Sequence, residues 1–451
     1  MNRVRLTALC CLLSAASVAS AQQPATQAAA PPAATAEPAS LGEAMQLAQR
    51  ASQAGDREAV RRALRAARGF APDDPAVLYN LARTESRLGD TTRALEALER
   101  LALQGAGRDV AADSAFVAIR DTPRFRAAAA AITAAAAPVA RSDSAFTLGD
   151  PDFVPEGIAY DPSGDAFYVG SLHRGSVLRV RRDGARTPFL APGANGLGQV
   201  LGLRVDPARR RLWLATLVQD STAPRFRSGI GGWAFLHAYE LPSGRPIGRW
   251  AAPDSSTPHL LNDVAVAASG DVYVTDSEGD ALWRLRAGAT RLERVHGGVR
   301  DFAYPNGLAL TPDGARLHVA HYEGLSVVEL RGPRAGRVTL VAAPPGVPTG
   351  AIDGMYRCGA GLLAVQQRLD FAQITLFALS ADGSRVTGAR TLERRHPAAR
   401  IPTTGAIAGD TFHYLADAQL DRLLPNGGIG PAAEPRDPVV LRLPLAGACR
   451  G

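Results

Sequence analysis

The chain has 451 residues, 50 basic against 43 acidic, and a formal net charge of +7. Every basic residue is arginine, and the lack of lysine excludes Schiff-base chemistry and a Walker-type phosphate loop, which both need an ε-amine. The charge is modest for the length and forms no arginine stripe interleaved with aromatics, which argues against a nucleic-acid partner.

At the N-terminus, Arg3 and Arg5 precede an apolar stretch from Leu6 to Val18 and the small residues Ala19-Ser20-Ala21. This order predicts a signal peptide over 1–21 and a periplasmic or secreted mature protein. The stretch is too short to cross a bilayer, and no later run approaches about 18 apolar residues, so no membrane span is expected. Cys10 and Cys11 leave with the signal and lack lipoprotein spacing. Cys358 and Cys449 remain, with two alternatives open: a disulfide in an oxidising compartment, or two separate buried thiols. Residues 22–40 are Gln, Ala, Pro and Thr without periodicity and predict a disordered linker.

Residues 41–138 read as a small all-α domain. "LGEAMQLAQRASQAGDREAVRRALRAARGFAP" and "PAVLYNLARTESRLGDTTRALEALERLALQG" superpose with a shift of 34 residues, matching Leu47 with Leu81, Gly55 with Gly89 and Leu64 with Leu98. That is the period of a tetratricopeptide-like helix pair, with the glycine at the inter-helix turn. A degenerate third unit follows, in which Pro123 stands where glycine is expected. Such units either dock a protein partner or serve as a helical cap.

Residues 139–451 are all-β in character. "EGIAYDPSGDAFYVGS" at 156, "LGLRVDPARRRLWLAT" at 201 and "NDVAVAASGDVYVTDS" at 262 are followed by "NGLALTPDGARLHVAH" at 306, "DGMYRCGAGLLAVQQ" at 353 and "TGAIAGDTFHYLAD" at 404. Each unit is strand, tight turn, strand, with weaker strand signals behind it. Four strands per 45–50 residues make one propeller blade, and six units make a six-bladed β-propeller. The longer blade two carries "VQDSTAPRFRSGIGGWAF", expected as a loop over one face.

The first residue of each unit enters the central channel at the same rim, giving the ring Glu156, Leu201, Asn262, Asn306, Asp353 and Thr404. Taken singly, each polar member has an ordinary explanation, such as an Asn-Gly or Asp-Gly turn. Their shared repeat position instead predicts a site for Ca²⁺ or another divalent cation, with Glu156, Asn262, Asn306 and Asp353 as oxygen ligands. The second strands return to this rim with Asp276 and His321 among their last residues, the two that could carry protons there.

"PEGIAYDPSGDAFYVGS", "PNGLALTPDG" and "IDGM" resemble the gluconolactonase/regucalcin (senescence marker protein) family, and "LLNDVAVAASGDVYVTD" is similar to the related paraoxonases. The resemblance covers about residues 145–447. It implies a six-bladed propeller with a divalent metal, usually Ca²⁺, on Glu156, Asn262, Asn306 and Asp353, and Asp353 as both ligand and base. Two departures stand out: Leu260 occupies the place of a sugar-acid-binding Arg, and His321 a place where the family often has Asp. The expected function is therefore a metal-dependent hydrolase of a small-molecule lactone or ester, with catalytic candidates Asp353, His321 and Asp276. The alternative is a non-catalytic periplasmic propeller that binds a ligand or partner and holds a structural metal.

Overall fold

The structure is a computed structural model that describes residues 37–38, 41–104, 108–226, 231–298, 302–322, 324–367, 372–424, 427–431 and 436–449. The expected signal peptide and, apart from residues 37 and 38, the expected linker lie outside the described residues.

Helices α1 (Leu41–Gln53), α2 (Arg57–Phe70), α3 (Pro75–Arg87), α4 (Thr91–Leu103) and α5 (Pro123–Ala135) come first. The side chains of Asp56, Asp74, Asp90 and Thr122 each accept a hydrogen bond from the backbone N–H three residues on, capping α2 to α5. Gly55 and Gly89 turn the chain between α1 and α2 and between α3 and α4 at φ +74° and +82°, where a side chain would be strained. Pro123 occupies the first turn of α5, where its missing N–H is no loss, so Thr122 rather than a glycine starts that helix. Leu78, Leu98, Phe116, Phe125 and Ile132 form the fully buried core of this region.

The rest is a six-bladed propeller of four-stranded antiparallel sheets. The inner strands run Pro155–Asp161, Gln199–Asp206, Leu261–Val266, Leu308–Leu310, Ile352–Cys358 and Gly405–Ala408. They are short and mostly buried, so they lack the buried-exposed alternation of a half-solvated strand. Blade six combines Gly405–Ala408, Thr411–Leu415 and Val439–Pro444 with Asp143–Thr147 as its outermost strand, so residues from both ends of the propeller close the circle in one sheet. The insertion of blade two keeps its strands at both ends, with Val218 opposite Trp233 and Gln219 opposite Gly232, and its described residues between them carry no strand beyond one bridge from Arg225 to Gly231. Its residues 227–230 lie outside the described residues.

Of the two alternatives for the cysteines, the disulfide is the one present. Cys358 ends the inner strand of blade five and bonds to Cys449 beyond blade six, a separation of 91 residues. Closing so long a loop restricts the unfolded chain. Cys449→Ser is therefore expected to lower unfolding free energy by about 2–4 kcal/mol in denaturant titrations. An unchanged midpoint would show that the sheet contacts alone hold this end.

Candidate metal centre

Four of the inner strands break their ladder at the same place. Pairing with the second strand skips from Pro155 to Ile158, from Val200 to Leu203, from Leu261 to Val264 and from Ile352 to Met355. The residues passed over are Glu156-Gly157, Leu201-Gly202, Asn262-Asp263 and Asp353-Gly354. A ladder irregularity of this kind turns a strand and re-aims a side chain. In blade four the rim residues pair through Asn306 N–H to Ala320 O and Ala320 N–H to Gly307 O, both 2.9 Å, before the regular strand begins.

The glycine after the ring residue lets neighbouring inner strands touch backbone to backbone. A Cβ on Gly157 would lie 2.2 Å from the Leu201 carbonyl oxygen, one on Gly202 2.4 Å from that of Asn262, and one on Gly307 2.3 Å from that of Asp353. The circle is completed by the Thr403 and Thr404 hydroxyls, which donate to the Glu156 carbonyl at 2.9 and 2.6 Å. The ring positions are thus brought to one level around the channel. Gly157→Ala is expected to force blades one and two apart and to cost about 3 kcal/mol by thermal unfolding. A wild-type melting curve would contradict this close packing.

Blade three replaces the glycine with Asp263, which lies outside the ring read from the sequence. Its carboxylate is 4 % exposed as a residue and accepts from the N–H groups of Val264 at 2.8 Å and Leu308 at 3.3 Å, with Arg204 3.8 Å away. The signal was visible as the one departure from glycine in the polar members of the ring.

Asn306 donates its amide to Asp353 at 3.0 Å, and Asn262 donates to the Ser277 hydroxyl at 2.9 Å. The oxygens of both amides are left for other partners. Glu156 is buried, and its Oε2 is one of the polar atoms without a hydrogen-bond partner. Burial, with the charges of Asp353 and Asp263 added to it, pushes the Glu156 carboxyl well above its ordinary range. Burial also lifts Asp353 to about 7; the Asn306 hydrogen bond opposes this and Asp263 adds to it. Burial raises Asp263 too, against the nearby Arg204. Of these three buried acids, Asp263 has Arg204 as an ion-pair partner, and among the described residues Glu156 and Asp353 form no ion pair.

The backbone before the ring is strained in a repeated way. Val154, Tyr304 and Ala351 each lie two residues before a polar ring member and adopt left-handed φ values of 47°, 57° and 56°. For non-glycine residues this costs on the order of 1–3 kcal/mol each and is retained where a site dictates it. Nothing in the side chains Val, Tyr or Ala announces the strain.

The remaining candidates are tied within their own blades. Asp276 is fully buried, and its carboxylate accepts from the N–H groups of Leu260 and Gly279 at 2.9 and 3.0 Å, from Trp283 Nε1 at 3.0 Å and from His259 Nδ1. His259 Nε2 meets the Asp254 carbonyl at 2.8 Å. Burial opposes charge on this ring, yet the Asp276 carboxylate raises its pKa above the ordinary value. His321 is 2 % exposed, with Nε2 2.9 Å from the Ser326 hydroxyl and its ring edge-on to Phe302. His259 carried no motif in the sequence and was missed.

Among the described residues, no group of three or more His, Cys, Asp or Glu side chains is placed to hold a metal ion. The ring offers two carboxylates and two amides instead. No family model and no curated protein matches the chain. Solved structures with a similar course include the gluconolactonase of Xanthomonas campestris, at 18% identity and a TM-score of 0.44, covering 66% of this chain and 88% of that one. The calcium-binding protein regucalcin of Agrobacterium tumefaciens matches at 14% identity and 0.45, covering 68% and 94%. The PQQ-bound aldose sugar dehydrogenase of Streptomyces coelicolor matches at 16% and 0.42, covering 68% and 99%. Likenesses this distant, shared by proteins of different chemistry, carry no argument about what the chain does.

Proposed function

We propose that this protein is an exported, divalent-cation-dependent hydrolase of small lactones or esters. The carrying observation is the buried rim set, in which the charge of Asp353 acts on Glu156, one Glu156 oxygen lacks a hydrogen bond and, among the described residues, neither carboxylate forms an ion pair. Two carboxylates and two amide oxygens suit a hard cation such as Ca²⁺, with water completing its shell. Glu156, Asn262, Asn306 and Asp353 would hold it. A bound cation supplies Lewis-acid stabilisation to a carbonyl oxygen that becomes negative.

The chain's own groups do the rest. The Asn306 amide fixes the Asp353 carboxylate by a 3.0 Å hydrogen bond, which leaves its second oxygen to take a proton from water. His321 and Asp276 stand at the same rim as alternative proton carriers. Of the two, Asp276 already has four donors on its carboxylate, which suits it to hold His259 rather than to exchange protons. Export accords with the charged and apolar N-terminal order and with a disulfide, which persists in oxidising compartments.

A panel of lactones, aryl esters and phosphoesters, assayed with Ca²⁺ and with excess chelator, tests this reading. Lactone or ester turnover that chelator abolishes and Ca²⁺ restores is expected. Full turnover in chelator would reject it.

A second reading is favoured by one contact. Tyr322, next to His321, packs against the helical cluster of Leu41, Ala44, Ala67, Ala71 and Val77. This contact supports reading the helices as a tetratricopeptide-like partner-docking element near the mouth. With Leu260 in place of a sugar-acid-binding Arg, this suits a non-catalytic propeller whose metal is structural. Ca²⁺ binding with no turnover across the panel would favour it.

A further inference from the structure

On the face opposite the cation site, at the seam between blades six and one, lies a cavity of about 160 Å³. The face follows from the topology. Second strands end at the rim, as Ser171 does, whereas Thr411 begins the second strand of blade six and therefore lies at the far end. The cavity is lined by Phe146, Phe167, Arg182, Thr411, His413 and Arg442, with Ala145 at its edge.

Its chemistry is one-sided. The rings of Phe146 and Phe167 are 5.4 Å apart, and Phe167 lies 4.6 Å from the His413 ring, which makes an apolar aromatic floor. His413 is 5 % exposed and its Nδ1 has no hydrogen-bond partner. Leaving such a group unsatisfied costs about 1–3 kcal/mol, so its retention asks for a partner. Arg442 is the cross-strand neighbour of both His413 and Asp143. Among the described residues no ion pair joins Arg442 to Asp143, and its guanidinium is exposed at the cavity. Arg182 uses Nε on Asp165 and Nη2 on the Tyr160 hydroxyl, which leaves Nη1 uncommitted. Burial first, then the two guanidinium groups, push the His413 pKa down to about 4 against a backbone hydrogen bond at Thr411, so the ring is neutral and the positive charge here belongs to arginine alone.

We propose that this seam is a second binding site, for a small organic monoanion with a carboxylate head and a flat apolar body. The head would lie between Arg442 and Arg182 within reach of His413, and the body on Phe146 and Phe167. Arginine suits this role because its planar fork pairs with carboxylate through two parallel hydrogen bonds. The site would also matter for the fold. Ala145 and Phe146 belong to the outermost strand of blade six, which follows directly on the helical region, so an occupant would brace the closing strand. This inference is independent of the cation site.

The test uses the full mature chain and benzoate as probe, with inorganic phosphate as a second arm. Calorimetric titration should show saturable benzoate binding that varies little between pH 5 and 8, because the arginines do not titrate there. Arg442→Ala, an exposed position whose loss should leave the fold intact by circular dichroism, should weaken benzoate by about tenfold or more. Benzoate should also slow amide exchange in residues 143–147 of the wild type and not of Arg442→Ala. Absence of saturable benzoate binding, unchanged affinity in Arg442→Ala, or phosphate binding as tightly as benzoate would each overturn the proposal.

Discussion

An Asp353→Asn chain should lose cation binding and hydrolyse its best lactone or ester about a thousandfold more slowly or worse. The substitution keeps size and shape, so the blade-five inner strand and its disulfide should fold as before. It removes a charge that would face the cation, on a carboxylate that Asn306 holds in place. An amide cannot accept the proton of an attacking water. The metal-free variant should at the same time melt higher than metal-free wild type, because the repulsion among Asp353, Glu156 and Asp263 is relieved. Lower activity with higher stability separates a lost functional group from a damaged fold. His321→Gln provides the comparison: it should retain most of the rate. If it instead loses as much as Asp353→Asn while still binding cation, the proton carrier is the histidine.

The second large effect is on the pH dependence of stability without metal. Glu156, Asp263 and Asp353 all have carboxyl groups raised above their ordinary range by burial. The folded chain therefore binds more protons than the unfolded chain between about pH 4 and 7, and stability must fall as pH rises through that window. Asp353 alone, moved from 3.8 to about 7, contributes a loss on the order of 4 kcal/mol. This runs against the acid side of the curve, where paired carboxylates such as Asp113 and Asp150, held low by their arginine neighbours and hydrogen bonds, lose their stabilising charge. Added Ca²⁺ should flatten the decline and raise the melting temperature most near pH 7 and above, since it compensates the ionised pair. Thermal melts from pH 4.5 to 8, with Ca²⁺ and with chelator, read this directly. Chelator curves that rise toward pH 8 would contradict the electrostatics assigned to the rim.

Much of this architecture is legible in the residues themselves. The six strand-turn-strand units mark six blades because each pairs a mostly buried run with a short turn, of two to five residues, before the second strand. Gly55 and Gly89 mark helix turns because only glycine takes that φ at no cost. Glu156, Asn262, Asn306 and Asp353 become a set through repeat position, and the structure brings those positions to one rim. Other features had no local signal. The left-handed backbone at Val154, Tyr304 and Ala351 is carried by residue types that do not favour it, so the sequence of a single strand does not record it. Asp263 was hidden by its neighbour Asn262, which fills the ring position, although an Asp where other polar ring members carry Gly was a readable oddity. His259 meets Asp276 across 17 residues of chain, and nothing in their spacing foretells the pairing. The outer strand of blade six comes from Asp143–Thr147, and a closure between distant segments is a long-range pairing that periodicity does not reveal.

The central claim is that the rim holds one divalent cation on Glu156, Asn262, Asn306 and Asp353. Calorimetric titration of Ca²⁺ into metal-free protein near pH 7 tests it most directly. The expected result is one ion per chain with proton release, since both carboxyls sit above their ordinary range before binding, and loss of that binding in Glu156→Gln and Asp353→Asn. No heat of binding, or the same stoichiometry and affinity in both variants, would contradict the account.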